Sequence, residues 1–310
     1  MQIIRYSPTL KEEWNRFVGV SRNGTFLMNR DYMGYHADRF TDHSLLFYHK
    51  NRIRCILPAN ETAGVFHTHQ GLTYGGMIFA GDTRSEEIET AFNLLVAYLR
   101  ELGVRHLNYK PVPSIYHGCP SMEDMYFLFR HDAKRIACAL AATIYLPERL
   151  PYSRERRRAV TRGEEMGIKV CETESLVPFW KVMEANMAER FGAVPVHTHQ
   201  EMALLRDRFP ENIRLFGAFD EGELLAGALI YDTGRVVRIQ YGHASPRGKA
   251  LGALDVVYDH LIRLFEKERT YLDFGQCTEE NGRVLNAGLI HQKEGFGGRG
   301  TLYETYQLQL

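Results

Sequence analysis

The residue best placed for acid–base chemistry in this sequence of 310 residues is Asp273, at the end of a predicted strand and two positions before Gly275. Open α/β sheets place their ligand sites at the carboxyl ends of strands. We therefore predict that Asp273 is a catalytic base or anchors an amine of the substrate, and that Glu279, in the following turn, faces the same cleft as a further catalytic residue. The alternative is that the Asp273 carboxylate only caps the backbone N–H groups of that turn, a frequent role of Asp in loops.

A group of tyrosines and one lysine lies at predicted strand ends or in adjoining loops of the first half of the chain: Tyr74, Tyr109, Lys110 and Tyr116, followed by His117. Phenol groups beside a cation suit a sugar or nucleotide acceptor, so we predict that the three tyrosines and Lys110 bind substrate. Alternatively these tyrosines are ordinary packing residues, since Tyr is common where one end of a side chain is apolar and the other meets water.

Two His-Thr-His-Gln tetrads, at residues 67–70 and 197–200, invite a metal interpretation, which we reject. Neither tetrad has a third ligand nearby at the spacing of zinc sites, and a separation of two suits a strand face or a helix cap better. Thr198, before Gln200 and Glu201, predicts the start of a helix. We expect no metal.

The densest basic run is Arg154-Glu-Arg-Arg-Arg158, with Arg162 one turn later. Most charge runs are solvated helix faces. The alternative is a contact with the phosphates of a ligand, whose affinity would then fall with added salt.

Composition limits the classes of partner. Thirty-eight Lys plus Arg balance 38 Asp plus Glu, so the net charge predicts no sequence-independent attraction to nucleic acid or anionic membrane, and a polyanion must meet a local patch. The five scattered cysteines show no C-x-x-C spacing and indicate reduced thiols. The sequence begins without the apolar run of a signal peptide, and no segment approaches the roughly 20 apolar residues of a membrane span. We expect a cytoplasmic protein without membrane insertion.

The order of predicted elements repeats. Each half runs through helices, three strands, a long helix, a strand, a short helix and a last strand, and the chain exceeds the length at which one core usually stops growing. Hairpin-linked strands pair antiparallel, whereas a long helix returns the chain to a parallel neighbour. We predict an α/β fold of two tandem domains, residues 1–147 and 148–310, each with a mixed, mostly antiparallel sheet flanked by helices.

Four segments resemble the FemABX peptidyltransferases, a branch of the GNAT acyltransferases, and the resemblance covers essentially the whole chain. They are Leu72-Thr-Tyr-Gly-Gly76, Pro113-Ser-Ile-Tyr-His117, Tyr271-Leu-Asp-Phe-Gly275 and Lys293-Glu-Gly-Phe-Gly-Gly298. The resemblance implies two GNAT-like domains and direct transfer of an acyl or aminoacyl group from acyl-CoA or aminoacyl-tRNA to an amine or hydroxyl. In FemABX proteins the acceptor is a cell-wall precursor.

The resemblance does not decide whether acyl-CoA or aminoacyl-tRNA is the carrier of the transferred group. Members that use charged tRNA commonly carry a coiled-coil arm, and this sequence has no sustained heptad segment. We therefore expect acyl-CoA as the co-substrate, with no permanently bound cofactor, and a small-molecule or nucleotide-sugar acceptor, and we keep tRNA as the alternative partner. A pair of domains that binds a ligand or partner without turnover is the further alternative.

The phosphate loop that the resemblance implies has an altered spacing. In GNATs that use acetyl-CoA it reads Arg or Gln, two residues, Gly, one residue, then Gly or Ala at the start of the long helix, whereas this chain has Arg247-Gly-Lys-Ala-Leu-Gly-Ala253. Unpaired N–H groups at a helix N-terminus bind phosphate whatever the spacing. We predict that the donor's phosphates bind to Arg247, Gly248, Lys249 and Gly252; the alternative is a plain basic helix start.

In a GNAT unit the donor that polarises the carbonyl is usually backbone on the strand before this loop, here Gln240 to His243. Because side chains alternate along a strand, Tyr241 and His243 face one side together, and we predict that they polarise the carbonyl or shuttle a proton. The alternative is an aromatic residue packed on a helix and a half-exposed histidine. Lys293 ends a predicted helix before Gly295 and either binds substrate or only complements the helix dipole.

Overall fold

The computed structural model describes residues 1–191 and 195–310. The chain divides into two structural units. The first unit contains Met1–Leu140, Thr278–Val284 and Leu302–Leu310, and the second contains Ala141–Cys277 and Leu285–Thr301. The sequence predicts a single boundary after residue 147 instead. The last strand explains the difference, because its residues Tyr306–Gln309 pair with Tyr109–His106 of the first unit.

The first unit begins with short strands and helices. In chain order these are β1 (Gln2–Arg5), α1 (Lys11–Val20), α2 (Arg30–Met33), β2 (Thr41–Asp42), β3 (Leu45–His49), β4 (Arg52–Leu57), β5 (Asn60–Thr62), β6 (Val65–His67), β7 (Ile78–Phe79), α3 (Ser85–Glu101), β8 (His106–Tyr109) and α4 (Glu123–Arg130). Strand β9 (Lys134–Tyr145) then continues into the second unit. Single 3-10 turns lie at Pro8–Leu10, Phe26–Met28, Gly34–His36, Ser114–Tyr116, Leu146–Glu148 and Glu280–Gly282.

The sheets of the first unit are mixed but mostly antiparallel. One has the order β1-β3-β4-β7, and β3 and β4 form a hairpin. Its turn residues Lys50 and Asn51 both have positive φ, as the tightest hairpin turns require. In the other sheet, β8 pairs with β6 in parallel, and β6, β5 and β2 follow as antiparallel neighbours.

Helix α3 supplies much of the first core. Its apolar residues recur at helical spacing and are buried: Ile88, Ala91, Phe92, Leu95, Val96 and Leu99. They pack with strand residues such as Phe47, Leu57 and Leu107 into one cluster. Tyr109, at the end of β8, is fully buried in it; its hydroxyl donates to Asp124 Oδ2 (2.7 Å) and accepts from the Met77 N–H (2.6 Å).

The second unit continues with helices around a larger sheet. Its elements are α5 (Arg154–Glu165), β10 (Lys169–Glu172), α6 (Leu176–Phe191), α7 (His199–Arg208), β11 (Ile213–Asp220), β12 (Glu223–Asp232), β13 (Val236–Ala244), α8 (Pro246–Leu251), α9 (Ala253–Phe265) and β14 (Tyr271–Gln276). After β14 come β15 (Thr278–Glu279), β16 (Val284–Leu285), α10 (Ala287–Gly295) and β17 (Arg299–Gln309). No helix in the described parts of the chain is long and apolar enough to cross a membrane.

The strand order in the second unit is β10-β11-β12-β13-β14-β9. All neighbours pair antiparallel except β13 and β14, which are joined by α8 and α9 and run parallel. Phe179 of α6 contacts Gly227 on one face of the sheet, while His260 and Phe265 of α9 pack on Phe216 of the other face. The predicted fold class, a mixed sheet flanked by helices, is confirmed.

The buried carboxyl group of Asp124 predicts a pH dependence of stability. Burial raises its pKa to about 6. A group whose pKa is raised in the folded state stabilises that state while protonated; this contribution is complete below about pH 4 and is lost as the pH rises through about 6. The unfolding free energy of the wild type should therefore fall by up to about 3 kcal/mol between about pH 4 and pH 8, relative to Asp124→Asn, which does not titrate.

Urea denaturation of both proteins across this range measures the difference. A gap between them that stays constant with pH would contradict the assignment.

Candidate active site

The strands β13 and β14 separate part way along their length. They pair in parallel only at Val236–Arg238 with Tyr271–Asp273. Just beyond this point β13 carries a bulge, because Leu229 of β12 faces Tyr241 while Ile230 faces Ile239, which leaves Gln240 as the extra residue. Bulges interrupt the ladder and are frequent beside active sites. The two parallel strands thus part toward their carboxyl ends, and we call this divergence the fork.

An ion pair lies where the fork begins. Arg238 Nη1 donates to Asp273 Oδ2 at 2.9 Å, and the Asp273 side chain is fully buried. Asp273 Oδ1 also accepts from the Gly275 N–H (2.8 Å) and lies 3.4 Å from the Thr143 hydroxyl. The Asp273 carboxylate thus accepts from a backbone N–H on its own strand, just before the turn named in the capping alternative, and also has a partner charge. A catalytic role for Asp273 stays a prediction.

A second cation, Lys293, reaches the fork from α10. It is 5% exposed, and its Nζ donates to the carbonyl oxygens of Gly275 (3.1 Å) and Gln276 (3.2 Å) on β14. Burial lowers the pKa of Lys293, although the neighbouring Cys277 opposes that change. Lys293 and the Arg238–Asp273 pair thus converge on the same stretch of β14.

Tyr241 and His243 share one face of β13, next to α6. The Tyr241 ring lies edge-on to Trp180 at 5.9 Å, and the His243 ring lies 6.3 Å from Phe179. The Tyr241 hydroxyl is hydrogen-bonded to His197 Nδ1 at 2.6 Å, and burial raises the pKa of Tyr241 to about 12. Tyr241 is therefore a neutral phenol at physiological pH, held beside the bulge.

The predicted phosphate loop is the short helix α8 and the glycine after it. Gly248 packs directly on β12, since a Cβ there would lie 2.0 Å from the Leu225 carbonyl oxygen, and its N–H donates to the capping Ser245 hydroxyl. Arg247 is exposed but paired with Asp220 and Glu223, the latter at 2.5 Å. Lys249 Nζ donates to Asn186. Gly252 has a left-handed φ of 72° and separates α8 from α9, where the sequence predicts one helix start.

A basic cleft of about 620 Å³ lies between α5 and the start of α9. Val160 and Gly163 turn one side of α5 inward, and a Cβ on Gly163 would touch Val256 of α9. The opposite side carries the arginine run noted in the sequence. The cleft is lined by five basic residues against two acidic ones: Arg154, Arg156, Arg158, Arg162 and Lys249, with Glu155 and Asp255.

The two acids of this cleft already have a partner. Arg156 contacts Glu155 and donates to Asp255 at 2.5 Å. Arg154, Arg158 and Arg162 are exposed, and no acidic partner contacts them in the described residues. They recur every four residues, so they stand above one another on the helix, where like charges repel by about 0.2–0.5 kcal/mol per pair. Such a row favours a bound anion.

The predicted acceptor residues of the first half lie in the first unit. Tyr74 and Tyr116 are buried with their rings 4.5 Å apart, and the Tyr116 hydroxyl is 2.9 Å from that of Tyr303. Tyr109 is held in the core, as described above. These contacts are those of the packing alternative. Lys110 differs because it remains partly exposed.

Glu279, the other predicted catalytic residue, is exposed on β15 and belongs to the first unit, whereas Asp273 belongs to the second.

The two His-Thr-His-Gln tetrads have different environments. His67 ends β6, and His197 contacts Tyr241. Thr198 caps α7 in a reciprocal capping box with Glu201, which confirms the predicted helix start. Within residues 1–191 and 195–310, no group of three or more His, Cys, Asp or Glu side chains could hold a metal ion.

Sequence reasoning missed Arg238 and Thr143. Arg238 is the one charged residue in the apolar run from Val236 to Ile239, and that position is the only local signal for a buried ion pair. Its partner comes from a strand 35 positions later, which no local pattern specifies. Thr143 reaches Asp273 across a pairing between β9 and β14 that only the fold creates.

Replacing Asp273 by Asn should lower the free energy of unfolding by about 3–5 kcal/mol, because it leaves the Arg238 charge buried without its partner. Adding Arg238→Met removes the stranded charge, so the double variant should lose less stability than the single variant. Urea denaturation of the four proteins of the cycle measures this coupling. A single variant of normal stability with greatly reduced turnover would instead identify Asp273 as a catalytic base.

Comparisons with known proteins find a family match in the second half of the chain and solved structures that are similar over almost all of it. Residues 149–281 match the family model described as an acetyltransferase (GNAT) domain. No curated protein sequence matches the chain at a significant level. Among solved structures the chain is similar to FemX, with a TM-score of 0.71 and 12% identity over 100% of this chain and 98% of FemX.

Two further structures share the fold. L-PGS from Bacillus licheniformis has a TM-score of 0.63 at 14% identity, over 97% of this chain and 91% of that one. A tandem GNAT protein from the clavulanic acid biosynthesis pathway has a TM-score of 0.52 at 12% identity, over 99% and 98%. The fork and the bulge therefore lie in the acetyltransferase (GNAT) domain of residues 149–281, and the whole chain shares the fold of FemX.

Proposed function

We propose that this acyltransferase moves an acyl or aminoacyl group from a phosphate-bearing carrier to an amine or hydroxyl of an acceptor, by direct attack at the fork of the second unit. The observation that carries the proposal is the fork itself. Two parallel strands part immediately after Arg238 and Asp273, and the β13 bulge lies at that point. Beyond Arg238 the described pairing between β13 and β14 ends, so backbone N–H groups on that side of β13 can bind the carbonyl oxygen of the transferred group.

Direct attack needs no covalent enzyme intermediate. The acceptor nitrogen or oxygen forms a bond to the carbonyl carbon, the carbonyl oxygen becomes an oxyanion, and the bond to the carrier then breaks. The acceptor loses a proton, and the leaving oxygen or sulfur of the carrier gains one. Backbone N–H groups near Gln240 would stabilise the oxyanion, and the neutral phenol of Tyr241 is suited to donate a hydrogen bond or proton to the leaving group.

Lys293 has a supporting role in this scheme. Its ammonium binds the two β14 carbonyl oxygens that border the fork, so it keeps that strand apart from β13. Asp273 acts through Arg238 in the same way. In this scheme Asp273 is a positioning residue, and a second acceptor molecule or water takes the proton; a general base role for Asp273 stays the alternative prediction.

The basic cleft is better suited than α8 to bind the phosphates of the carrier. At α8, the charge of Arg247 is already satisfied by Asp220 and Glu223, and Gly248 is pressed against β12. In the cleft, the row Arg154, Arg158 and Arg162 extends over about 12 Å of helix, from 1.5 Å per residue. We therefore place phosphate binding at this row and at the N-terminus of α9, which also favours anions.

Two carriers fit this chemistry. An arginine row of this length suits the phosphodiester chain of an aminoacyl-tRNA. The similarity to FemX and to the C-terminal domain of a putative lysylphosphatidylglycerol synthetase from Agrobacterium fabrum supports aminoacyl transfer. The GNAT domain match supports acyl-CoA, the carrier expected from the sequence, as the second candidate. For the acceptor we propose an amine or hydroxyl of a cell-envelope precursor, on the basis of the FemABX resemblance.

The arginine row gives the first test of the carrier. Replacing Arg154, Arg158 and Arg162 together by Gln should weaken aminoacyl-tRNA binding about tenfold or more and reduce the slope of log affinity against log salt by about 2 to 3, since three phosphate contacts are lost. The matched control is Arg157→Gln, on the same helix but outside the cleft. Arg247→Ala should change neither quantity.

Filter binding with aminoacyl-tRNA and calorimetry with CoA and acetyl-CoA separate the carriers. Saturable binding of acetyl-CoA with no RNA binding would select the second candidate. Loss of binding in Arg247→Ala but not in the triple variant would return the phosphate site to α8.

Tyr241→Phe tests the site of transfer. Removal of the phenol should lower kcat about 100-fold with KM nearly unchanged, as expected for a group that acts on the leaving atom. The loss should be the same from about pH 6 to pH 9, because the pKa of Tyr241 is raised to about 12. Tyr145→Phe, an exposed tyrosine of the same unit, is the control. Full activity of Tyr241→Phe with an unchanged melting temperature would remove Tyr241 from the mechanism.

A further inference from the structure

Lys110, the first residue after β8, is a cation without a counter-charge. Its Nζ donates to the carbonyl oxygens of Leu72 (2.5 Å) and Gln70 (3.5 Å), and in the described parts of the chain no carboxylate pairs with it. Burial lowers the pKa of Lys110 to about 8. A partly buried cation that has only neutral partners is costly, and the third N–H of an ammonium remains available to a ligand.

Two histidines flank Thr68, whose hydroxyl accepts from the Lys110 N–H. His67, at the end of β6, is partly exposed; burial and then the Lys110 charge lower its pKa. His69 is 3% exposed, and its Nδ1 has no hydrogen-bond partner among the described residues. Burial lowers the pKa of His69 to about 3, with His36 and Lys110 acting in the same direction. Both imidazoles are therefore neutral at physiological pH, and each keeps an N–H donor.

The one described carboxylate that raises the pKa of His69, Asp42, is itself paired with Arg30 at 2.5 Å, so it does not compensate Lys110. The electrostatic potential around Lys110 is therefore positive, which favours an anionic ligand.

The backbone fixes these groups together without help from the Lys110 ammonium. The Lys110 N–H donates to the Thr68 hydroxyl (2.8 Å), the Thr68 N–H donates to the Asn108 carbonyl oxygen (3.0 Å), and the Gly75 N–H donates to the Lys110 carbonyl oxygen (2.9 Å). A Cβ on Gly75 would lie 2.1 Å from the Thr68 carbonyl oxygen, so only glycine allows this approach. The loop from His67 to Gly75 is thus held against the end of β8 by its own main chain.

We propose that Lys110, His67 and His69 form an oxyanion-binding site in the first unit, for a phosphate or carboxylate group of a small molecule. The ammonium supplies the charge, and the neutral imidazoles supply hydrogen-bond donors without adding repulsive charge. The site goes beyond the transfer proposed for the second unit and does not rest on it.

The test is the titration of Lys110 itself in protein labelled with ¹³C at the lysine Cε, followed by NMR. Lys110→Gln identifies the resonance by its loss, and Lys110→Arg keeps the charge if the glutamine variant fails to fold. Inorganic phosphate and acetate, added separately, should raise the midpoint of Lys110 saturably by about 1 pH unit, because a bound anion favours the charged amine. The anion with the larger effect identifies the group that the site takes.

Two comparisons make the result specific. His67→Asn should weaken the better anion about tenfold, as expected for loss of a hydrogen bond to a charged group. Lys134→Gln, an exposed lysine of the same unit, should leave the anion response of Lys110 unchanged. A Lys110 midpoint that neither anion moves, or that moves only as much as those of exposed lysines, would overturn the proposal, and transfer activity at the fork would be unaffected by that outcome.

Discussion

The fork in the second unit depends on the buried ion pair between Arg238 and Asp273. Two parallel strands that separate lose the backbone hydrogen bonds between them, and the split would propagate or close unless something fixed where it begins. The carboxylate of Asp273 does this from β14, binding Arg238 on β13 and the N–H of Gly275 on its own strand. Burying two charges contributes little net stability, yet removing either partner is expensive. The pair is therefore better understood as a device that fixes position than as a source of stability.

The basic residues of the second unit differ in burial, and we assign them different roles on that basis. Lys293 is buried, Arg238 is largely buried, and both are bound to protein oxygens, so they hold the strands that border the fork, where we propose that the acyl group reacts. Arg154, Arg158 and Arg162 are exposed and unpaired with acids in the described residues, so they are available to phosphates. Arg247 is exposed but already neutralised. The phosphate-loop motif points to Arg247 because of its position in the sequence. The contacts show that Arg247 already has acidic partners, which the arginine row lacks in the described residues.

Much of the fold could be predicted from the sequence, because hairpin turns, helix caps and apolar periodicity are local signals. Lys50-Asn51 and Thr198 with Glu201 specify their turn and their cap with a few neighbouring residues. The candidate site is harder to predict from the sequence than the fold. Asp273 was identified by its place at a strand end, but its partner Arg238 is set by strand pairing, and the bulge at Gln240 depends on register. The altered boundary has the same cause, since the last strand joins the first unit through the pairing of residues 306–309 with β8.

Tyr109 and Lys110 show how adjacent residues of one strand end take different roles. Tyr109 points into the core, where its hydroxyl joins the loop at Met77 to Asp124 of α4 and is fully satisfied. Lys110 turns the other way, toward the loop carbonyls, and keeps a charge that no described carboxylate balances. The main chain already secures the loop through Thr68 and Gly75. Since the lysine charge costs free energy and the loop does not need it, selection for a ligand explains its presence better than selection for stability.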